Sequence, residues 1–218
     1  MILINTVPNH QKHKKIILDK ISEFSDLHNL QMDPNKVNLE AFSKLPKYEE
    51  FFNKSKGTIS DFFVHKDAHR GYLDYFYSDV IPSSLEKVGK DLGLWPFDIK
   101  IHNGWFQQYT DGGEHNWHNH PDCQFTNVYF LELPDEEYKT EIVDEKGDVI
   151  EFTIKEGDVL THSSWMLHRS KPNLGKHRKS IISFNVSFNH TVTNEEPANW
   201  GMWNPINSGY SPPKMENI

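Results

Sequence analysis

The sequence predicts a mainly β fold, a sandwich or barrel of the jelly-roll type, preceded by a helical N-terminal region. From Pro96 onward the chain consists of short β-rich runs separated by Gly, Pro and Asp turns, a spacing typical of sandwiches and barrels. Before Pro96, hydrophobic residues recur mainly at helical spacing. The 218 residues are 36% hydrophobic, which is enough for the core of one domain with appendages.

Two helices are predicted in the N-terminal region. Residues 10–30 carry apolar side chains near helical spacing, with a charged opposite face. Residues 85–92 follow two serines that can cap a helix, and Gly93 is a stop signal. Residues 34–78 fit neither periodicity clearly, and we expect their aromatic pairs to pack against the sheet.

Seven β-rich runs follow, and they divide the chain into three regions. A hairpin turn is predicted at Glu145-Lys146-Gly147-Asp148 and another tight turn at Gly157-Asp158. The predicted strands are residues 97–101, 105–109, 125–133, 141–143, 149–154, 159–162 and 180–188. We therefore expect a helical region over 1–95, a β core over 96–190 and a partly ordered C-terminal extension over 191–218 that wraps the core.

Charge and cysteine content exclude several classes of protein. The formal net charge is −8, which disfavours a protein whose main task is binding nucleic acid. Cys123 is the one cysteine, so no intrachain disulfide can form and a reducing compartment is expected. No run approaches about 18 apolar residues, and residues 1–15 lack the apolar stretch of a signal peptide. We expect a soluble, cytoplasmic protein with no membrane contact.

The placement of three of the 13 histidines indicates a metal site. Residues i and i+2 of a strand share a face, so His118 and His120 can reach one point, and so can His120 and Asp122. His168, on a later strand, can supply a further ligand. Two histidines and a carboxylate with open coordination positions are typical of non-haem iron(II) oxygenases, although imidazole also suits Zn, Cu and Ni.

An arginine follows this set at the start of the last predicted strand. Arg178 beside a metal could bind a dicarboxylate through two charge-assisted hydrogen bonds. The alternative interpretation is a surface residue in the basic run Lys176-His177-Arg178-Lys179.

Taken together, these residues make the segment 103–189 resemble the iron(II)- and 2-oxoglutarate-dependent dioxygenases. The matching motifs are His118-Asn119-His120-Pro121, the run NVYFL over 127–131, Gly157-Asp158, and His168 followed by Arg178 and Ser180. The chain looks like the branch that includes phage and marine bacterial oxygenases, and it is also similar to the prolyl and aspartyl hydroxylases. The resemblance covers under half of the chain and implies a double-stranded β-helix core of cupin-like, jelly-roll type.

The resemblance also implies roles for individual residues. His118 and His168 would be the first and the distal histidine ligands of iron(II), and Arg178 would pair with the distal carboxylate of 2-oxoglutarate. Further candidates for contact with this cosubstrate are Ser180, Tyr109, Tyr129, Asn127 and Gln107. With O₂ as the other cosubstrate, the expected activity is hydroxylation of an amino acid, a peptidyl residue or a small metabolite, coupled to formation of succinate.

The second metal ligand departs from the family pattern, which is H-x-D in most members. This chain offers His118 with His120, His120 with Asp122, or His118 with Asp122. Matching the run over 127–131 favours His120 in the place of the acid, whereas the charge of Fe²⁺ favours the carboxylate.

Other functions are compatible with the same residues. A cupin-like enzyme with three histidine ligands would work without 2-oxoglutarate and would not need Arg178. A non-catalytic module would bind a metal or a small ligand without turnover. A sugar-binding jelly roll would use the many aromatic residues but leaves the histidines unexplained. The sequence also permits a homodimer formed through the N-terminal helices.

Overall fold

The computed structural model describes residues 1–28, 30, 57–62, 64–94 and 97–190. Its strands are β1 (Ile2–Thr6), β2 (Thr58–Ser60), β3 (Phe97–Tyr109), β4 (His115–His118), β5 (Phe125–Glu132), β6 (Thr140–Ile142), β7 (Asp158–Ser163), β8 (His168–Ser170) and β9 (Lys179–His190). Its α-helices are α1 (His10–Leu27), α2 (Gly71–Tyr75) and α3 (Pro82–Asp91). A π-helical turn (Phe76–Val80) follows α2, and a 3₁₀ turn (Glu136–Tyr138) precedes β6.

The strands form two antiparallel sheets. The larger sheet has the order β1-β7-β5-β9-β3-β2 and the smaller sheet has the order β4-β8-β6. From β4 to β9 the chain alternates between the two sheets, strand by strand. This alternation is that of a double-stranded β-helix, which confirms the predicted fold class. The space between the sheets is the interior of the β-helix.

The two faces of the larger sheet have different partners. On one face, the helices pack against a cluster that includes Tyr129 and Phe184. On the other, Phe130 and Ile181 belong to a second cluster in the interior of the β-helix. Because successive residues of a strand point to opposite faces, a shift of one position decides whether a side chain reaches the interior.

The N-terminal region contributes strands as well as helices. β1 extends the larger sheet by pairing with β7, and β2 pairs with the end of β3. Sequence periodicity missed both strands because each is short and pairs with a distant part of the chain. The predicted helix over 85–92 begins earlier, at Pro82, whose fixed φ suits the first helical turn, and Gly93 follows it with φ 70°.

Most predicted strands are present, with altered bounds. The runs over 97–101 and 105–109 form one strand, whose pairing with β9 shifts between Ile101 and Asn103. The run over 149–154 is not a strand, and only Val149 forms a bridge, with Val143. All of residues 34–56 and the whole extension over 191–218 lie outside the described residues. No helix in the described part of the chain is long and apolar enough to cross a membrane.

Candidate metal centre and cosubstrate pocket

Three of the predicted ligands converge in the interior of the β-helix. His118 at the end of β4 pairs with His168 at the start of β8. His120 follows in the loop after β4, where its N–H donates to the carbonyl of Ser164 at 2.9 Å. The ring nitrogens that the three histidines offer lie within 4.8 Å of one another. Asp122 is not part of this cluster, since it lies in an exposed turn.

Hydrogen bonds orient the rings of two of these histidines in the same way. Nδ1 of His118 lies 2.7 Å from the carbonyl oxygen of Asn116, and Nδ1 of His168 lies 3.0 Å from that of Met166. A carbonyl only accepts, so each Nδ1 carries the proton and each Nε2 keeps a lone pair for a metal. Nε2 of His120 is buried without a hydrogen-bond partner, as expected for a nitrogen that binds a metal.

Burial keeps the three rings neutral, which is the form that binds a metal. Loss of solvent is the main cause for all three pKa values, and neighbouring histidines lower those of His120 and His168 further. The pKa of His168 falls to about 2 and that of His120 to about 4, while the pKa of His118 is also lowered. The cluster contains no carboxylate, so a bound divalent ion would keep its full charge.

Two further histidines flank the cluster. The ring of His115 stacks on His118 with centroids 4.0 Å apart, and its Nδ1 lies 3.0 Å from Nε2 of Gln107. The ring of His162 meets His168 edge-on at 4.5 Å. His115 reaches the interior because the pairing of β4 with β8 shifts between His115 and His118. Counting alternate residues along a strand could not reveal this placement of His115.

A buried lysine occupies the interior next to the histidines. Lys179 is 1% exposed, and its Nζ donates to Oγ of Ser170 at 2.8 Å. Ser170 lies two residues beyond His168 on the same strand, a step of roughly 7 Å. Among the described residues, no carboxylate lies within ion-pair distance of Lys179, and burial lowers its pKa to about 7. Glu141 acts on this ammonium only from beyond ion-pair distance, and a buried ammonium without a directly paired carboxylate favours an anionic ligand.

Two of the predicted cosubstrate residues share this interior face. Tyr109 lies opposite Lys179 in the pairing of β3 with β9, and the lysine Nζ is 5.1 Å from the centre of the tyrosine ring. The Tyr109 hydroxyl is buried and forms no hydrogen bond of normal geometry; Ser170 lies beside it but accepts from Lys179. Burial raises the pKa of this hydroxyl, so it remains a donor. Gln107 lies two residues earlier, beside His115.

Arg178 and Ser180 do not reach the interior. The Arg178 side chain is 41% exposed, and its Nε and Nη2 donate to the two carboxylate oxygens of Glu132 at 2.8 and 3.1 Å. The Ser180 hydroxyl donates to the same carboxylate. Alternation along β9 turns Ser180 to the opposite face from Lys179, and Arg178, just before the strand, meets the same Glu132 carboxylate there. The structure does not bring Arg178 together with the histidines.

Tyr129 and Asn127 also lie on the face that the helices cover. The Tyr129 hydroxyl lies 2.6 Å from Nδ1 of His10, and its ring stacks on Phe76. Asn127 accepts from the Thr161 hydroxyl at 2.6 Å and donates to the carbonyl of Phe184 at 3.2 Å. These contacts hold α1 and neighbouring strands to the sheet. Neither side chain is placed for contact with a cosubstrate between the sheets.

Comparison with known proteins bears on the fold. No protein-family model and no curated protein matches the chain. Among solved structures, a Trichoplax adhaerens prolyl hydroxylase in complex with a hypoxia-inducible-factor peptide fragment is 11% identical, with a TM-score of 0.53 over 84% of this chain and 82% of that one. A Pseudomonas putida prolyl-4-hydroxylase is also 11% identical, with a TM-score of 0.50 over 84% and 91%. The chain therefore shares its fold with these two prolyl hydroxylases.

A further solved structure matches a smaller part of this chain. It is an oxidoreductase of the 2OG-Fe(II) oxygenase family from Burkholderia pseudomallei, 13% identical, with a TM-score of 0.46 over 56% of this chain. The chain spans 60% of the length of that protein.

The residues present fit a divalent metal and an anionic ligand beside it. Two oriented imidazoles supply nitrogen donors of a kind that iron(II) accepts, and His120 adds a third when its proton is on Nδ1, which leaves its buried, unpartnered Nε2 free. The unpaired ammonium of Lys179 and the hydroxyl of Tyr109 supply donors at the far end of the same space. The arrangement therefore supplies nitrogen donors for a metal and hydrogen-bond donors for a small carboxylate in the interior of the β-helix.

Proposed function

We propose that the protein is an iron(II)- and 2-oxoglutarate-dependent dioxygenase that hydroxylates an amino acid, a peptidyl residue or a small metabolite. The observation that carries the proposal is the combination of three convergent histidines with a buried, unpaired lysine inside a double-stranded β-helix. His118, His120 and His168 would hold the metal. When bound, iron(II) and 2-oxoglutarate supply the oxidation of a C–H bond by O₂, with succinate and CO₂ as co-products.

For the distal carboxylate of 2-oxoglutarate we propose Lys179 in place of Arg178. Its ammonium donates to Ser170, which lies two residues beyond His168 on β8, a step of roughly 7 Å, and a five-carbon dicarboxylate has a comparable length when its keto acid end faces the metal. The Tyr109 hydroxyl, which faces the same space, would donate a second hydrogen bond. A charged partner would offset the cost of burying the lysine, and the bond between the two would be strong because water is excluded.

The aromatic residues beside His120 would orient the substrate and exclude water. The Trp105 ring is 4% exposed and stacks on His120 with centroids 5.9 Å apart. Phe62 is 52% exposed and meets Trp105 edge-on at 5.0 Å. Arg70 holds the turn of Phe62 in place through the buried carboxylate of Asp61 at 2.7 Å.

A peptidyl substrate has the best support of the three classes. The Trichoplax enzyme is seen with a peptide fragment, and in this chain the exposed rings of Phe62 and Trp165 provide apolar contact area of the kind that extended peptides use. A cytoplasmic location, a homodimer, the lack of nucleic-acid partners and a relation to phage enzymes stay predictions.

A second candidate function is a three-histidine metalloenzyme that works without 2-oxoglutarate. The observation in its favour is that Asp122 stays out of the cluster, which leaves three nitrogen ligands. The buried Lys179 distinguishes the two candidates, because an enzyme that does not bind a dicarboxylate has no use for a cation there.

Succinate formation by the iron-loaded protein tests the proposal. The protein is loaded anaerobically and supplied with 2-oxoglutarate, O₂ and a pool of proline-containing and aspartate-containing peptides. We expect succinate that increases with one component of the pool and disappears in His168→Ala. Tight iron binding without succinate under any condition would overturn the proposed activity and favour the second candidate.

A further inference from the structure

Two side-chain amides form a hydrogen-bonded chain that ends on His120. Asn103 and Asn185 lie opposite each other in the pairing of β3 with β9. Nδ2 of Asn185 donates to Oδ1 of Asn103 at 2.8 Å and lies 3.1 Å from Nδ1 of His120. Asn185 is 4% exposed, and its Oδ1 is buried without a hydrogen-bond partner.

This contact differs from those of the other two metal ligands. His118 and His168 direct Nδ1 at backbone carbonyls, which can only accept, so their tautomers are fixed. His120 directs Nδ1 at an amide, which can present either an N–H donor or an oxygen acceptor. The tautomer of His120 therefore depends on which way the Asn185 amide points.

The two orientations of the amide have opposite consequences for metal binding. When Nδ2 of Asn185 faces the ring, Nδ1 of neutral His120 accepts, and the ring proton occupies Nε2, which then cannot bind a metal. A half-turn of the amide brings Oδ1 to the ring instead. Nδ1 then donates, Nε2 regains its lone pair, and the unpartnered Oδ1 gains a donor. The amide of Asn103 can turn with it and donate to the same oxygen.

We propose that Asn185 is a positioning residue of the metal site, whose amide selects the metal-binding tautomer of His120. The inference rests on the proposed function, because it assumes that His120 is a metal ligand through Nε2. A carboxylate in the place of His120 would bind through oxygen and would need no such partner. Trp105 complements the amide, since its stacking on the ring limits rotation of the ring plane.

Cobalt(II) affinity of three variants tests the role of Asn185. Asn185→Ala removes the acceptor and should weaken cobalt binding about 10- to 100-fold, the usual effect of losing such a partner. Asn185→Asp offers only acceptor oxygens and should bind cobalt at least as tightly as the wild type. Gln107→Glu is the matched control, because it places the same charge beside His115, which is not in the ligand cluster.

The comparison between the two acidic variants separates the hydrogen bond from the general effect of charge. We expect Asn185→Asp to bind cobalt about tenfold more tightly than Gln107→Glu. Equal affinities in these two variants, or an Asn185→Ala affinity within about twofold of the wild type, would overturn the inference. Circular dichroism of each apoprotein establishes that the variants are folded.

Proton NMR of the cobalt-loaded wild type supplies a readout independent of affinity. Each histidine that binds through Nε2 contributes one exchangeable, strongly shifted Nδ1–H resonance. We expect three such resonances, with the third broadened by exchange with water in Asn185→Ala. Two resonances in the wild type would show that His120 does not bind the metal with its proton held on Nδ1, and would refute the inference. A wild type that takes up no cobalt would instead overturn the proposed metal site itself.

Discussion

Replacement of Lys179 by methionine should abolish tight binding of 2-oxoglutarate without destabilising the fold. Methionine has a similar length and suits the surroundings, since the lysine Nζ lies 5.1 and 5.9 Å from the ring centres of Tyr109 and Phe130. Loss of one partner of a buried charged pair costs about 2–5 kcal/mol, which corresponds to a roughly 30- to 4,000-fold increase in the dissociation constant. The free protein should become more stable, because it no longer buries an unpaired charge.

Arg178→Met provides the matched control for this experiment. Arg178 is the adjacent cation, and its exposed pairing with Glu132 is worth about 0–1 kcal/mol of unfolding free energy. Titration calorimetry on zinc-loaded protein measures 2-oxoglutarate binding without turnover, and thermal unfolding of the apoproteins measures stability. Loss of 2-oxoglutarate binding in Arg178→Met, with binding retained in Lys179→Met, would refute the assignment of Lys179 as the carboxylate partner.

Two further predictions concern the pKa of Lys179, and a third concerns the ion pair between Asp61 and Arg70. The dissociation constant for 2-oxoglutarate should increase as pH rises above about 7, because burial lowers the pKa of Lys179 to about 7 and the neutral amine cannot pair with a carboxylate. Titration calorimetry across this pH range measures the dissociation constant. A constant that does not change with pH would contradict the prediction. Over the same pH range the free protein should become more stable, since the unfolded chain still binds the proton that folded Lys179 has released. Thermal unfolding of the wild type and of Lys179→Met at each pH measures this effect. A stability that falls with pH in the wild type but not in Lys179→Met would contradict the prediction. Asp61→Ala should lower the unfolding free energy by about 3–5 kcal/mol, because it leaves Arg70 without its buried partner; urea unfolding that shows a loss under about 1 kcal/mol would argue against a structural role.

The β core could be predicted from the sequence because its signal is local. Short runs of alternating residues between turn residues mark most of the strands, and Gly157 has the positive φ (92°) expected of a turn glycine. β1 and β2 could not be predicted in the same way, because their strand character arises from pairing with β7 and β3. The order of the strands likewise depends on contacts between distant segments.

The site was predictable in its residue types and less so in its geometry. Alternation along a strand shows that Arg178 and Lys179 face opposite sides, but the basic run gives no indication of which one faces inward. The pairing of Lys179 with Tyr109 decides it. Similarly, β4 ends at His118, so the rule that relates residues i and i+2 does not extend to His120 and Asp122. The loop alone brings His120 to the cluster and leaves Asp122 exposed.

The measurement that tests the central claim most directly is the visible absorption of the anaerobic iron(II) protein titrated with 2-oxoglutarate. Chelation of iron(II) by a 2-oxo acid produces a charge-transfer band that neither component shows alone. We predict this band for the wild type, its loss in His168→Ala because iron is no longer held, and its appearance only at much higher 2-oxoglutarate concentrations in Lys179→Met. A wild type that binds one equivalent of iron but develops no band at saturating 2-oxoglutarate would contradict the account.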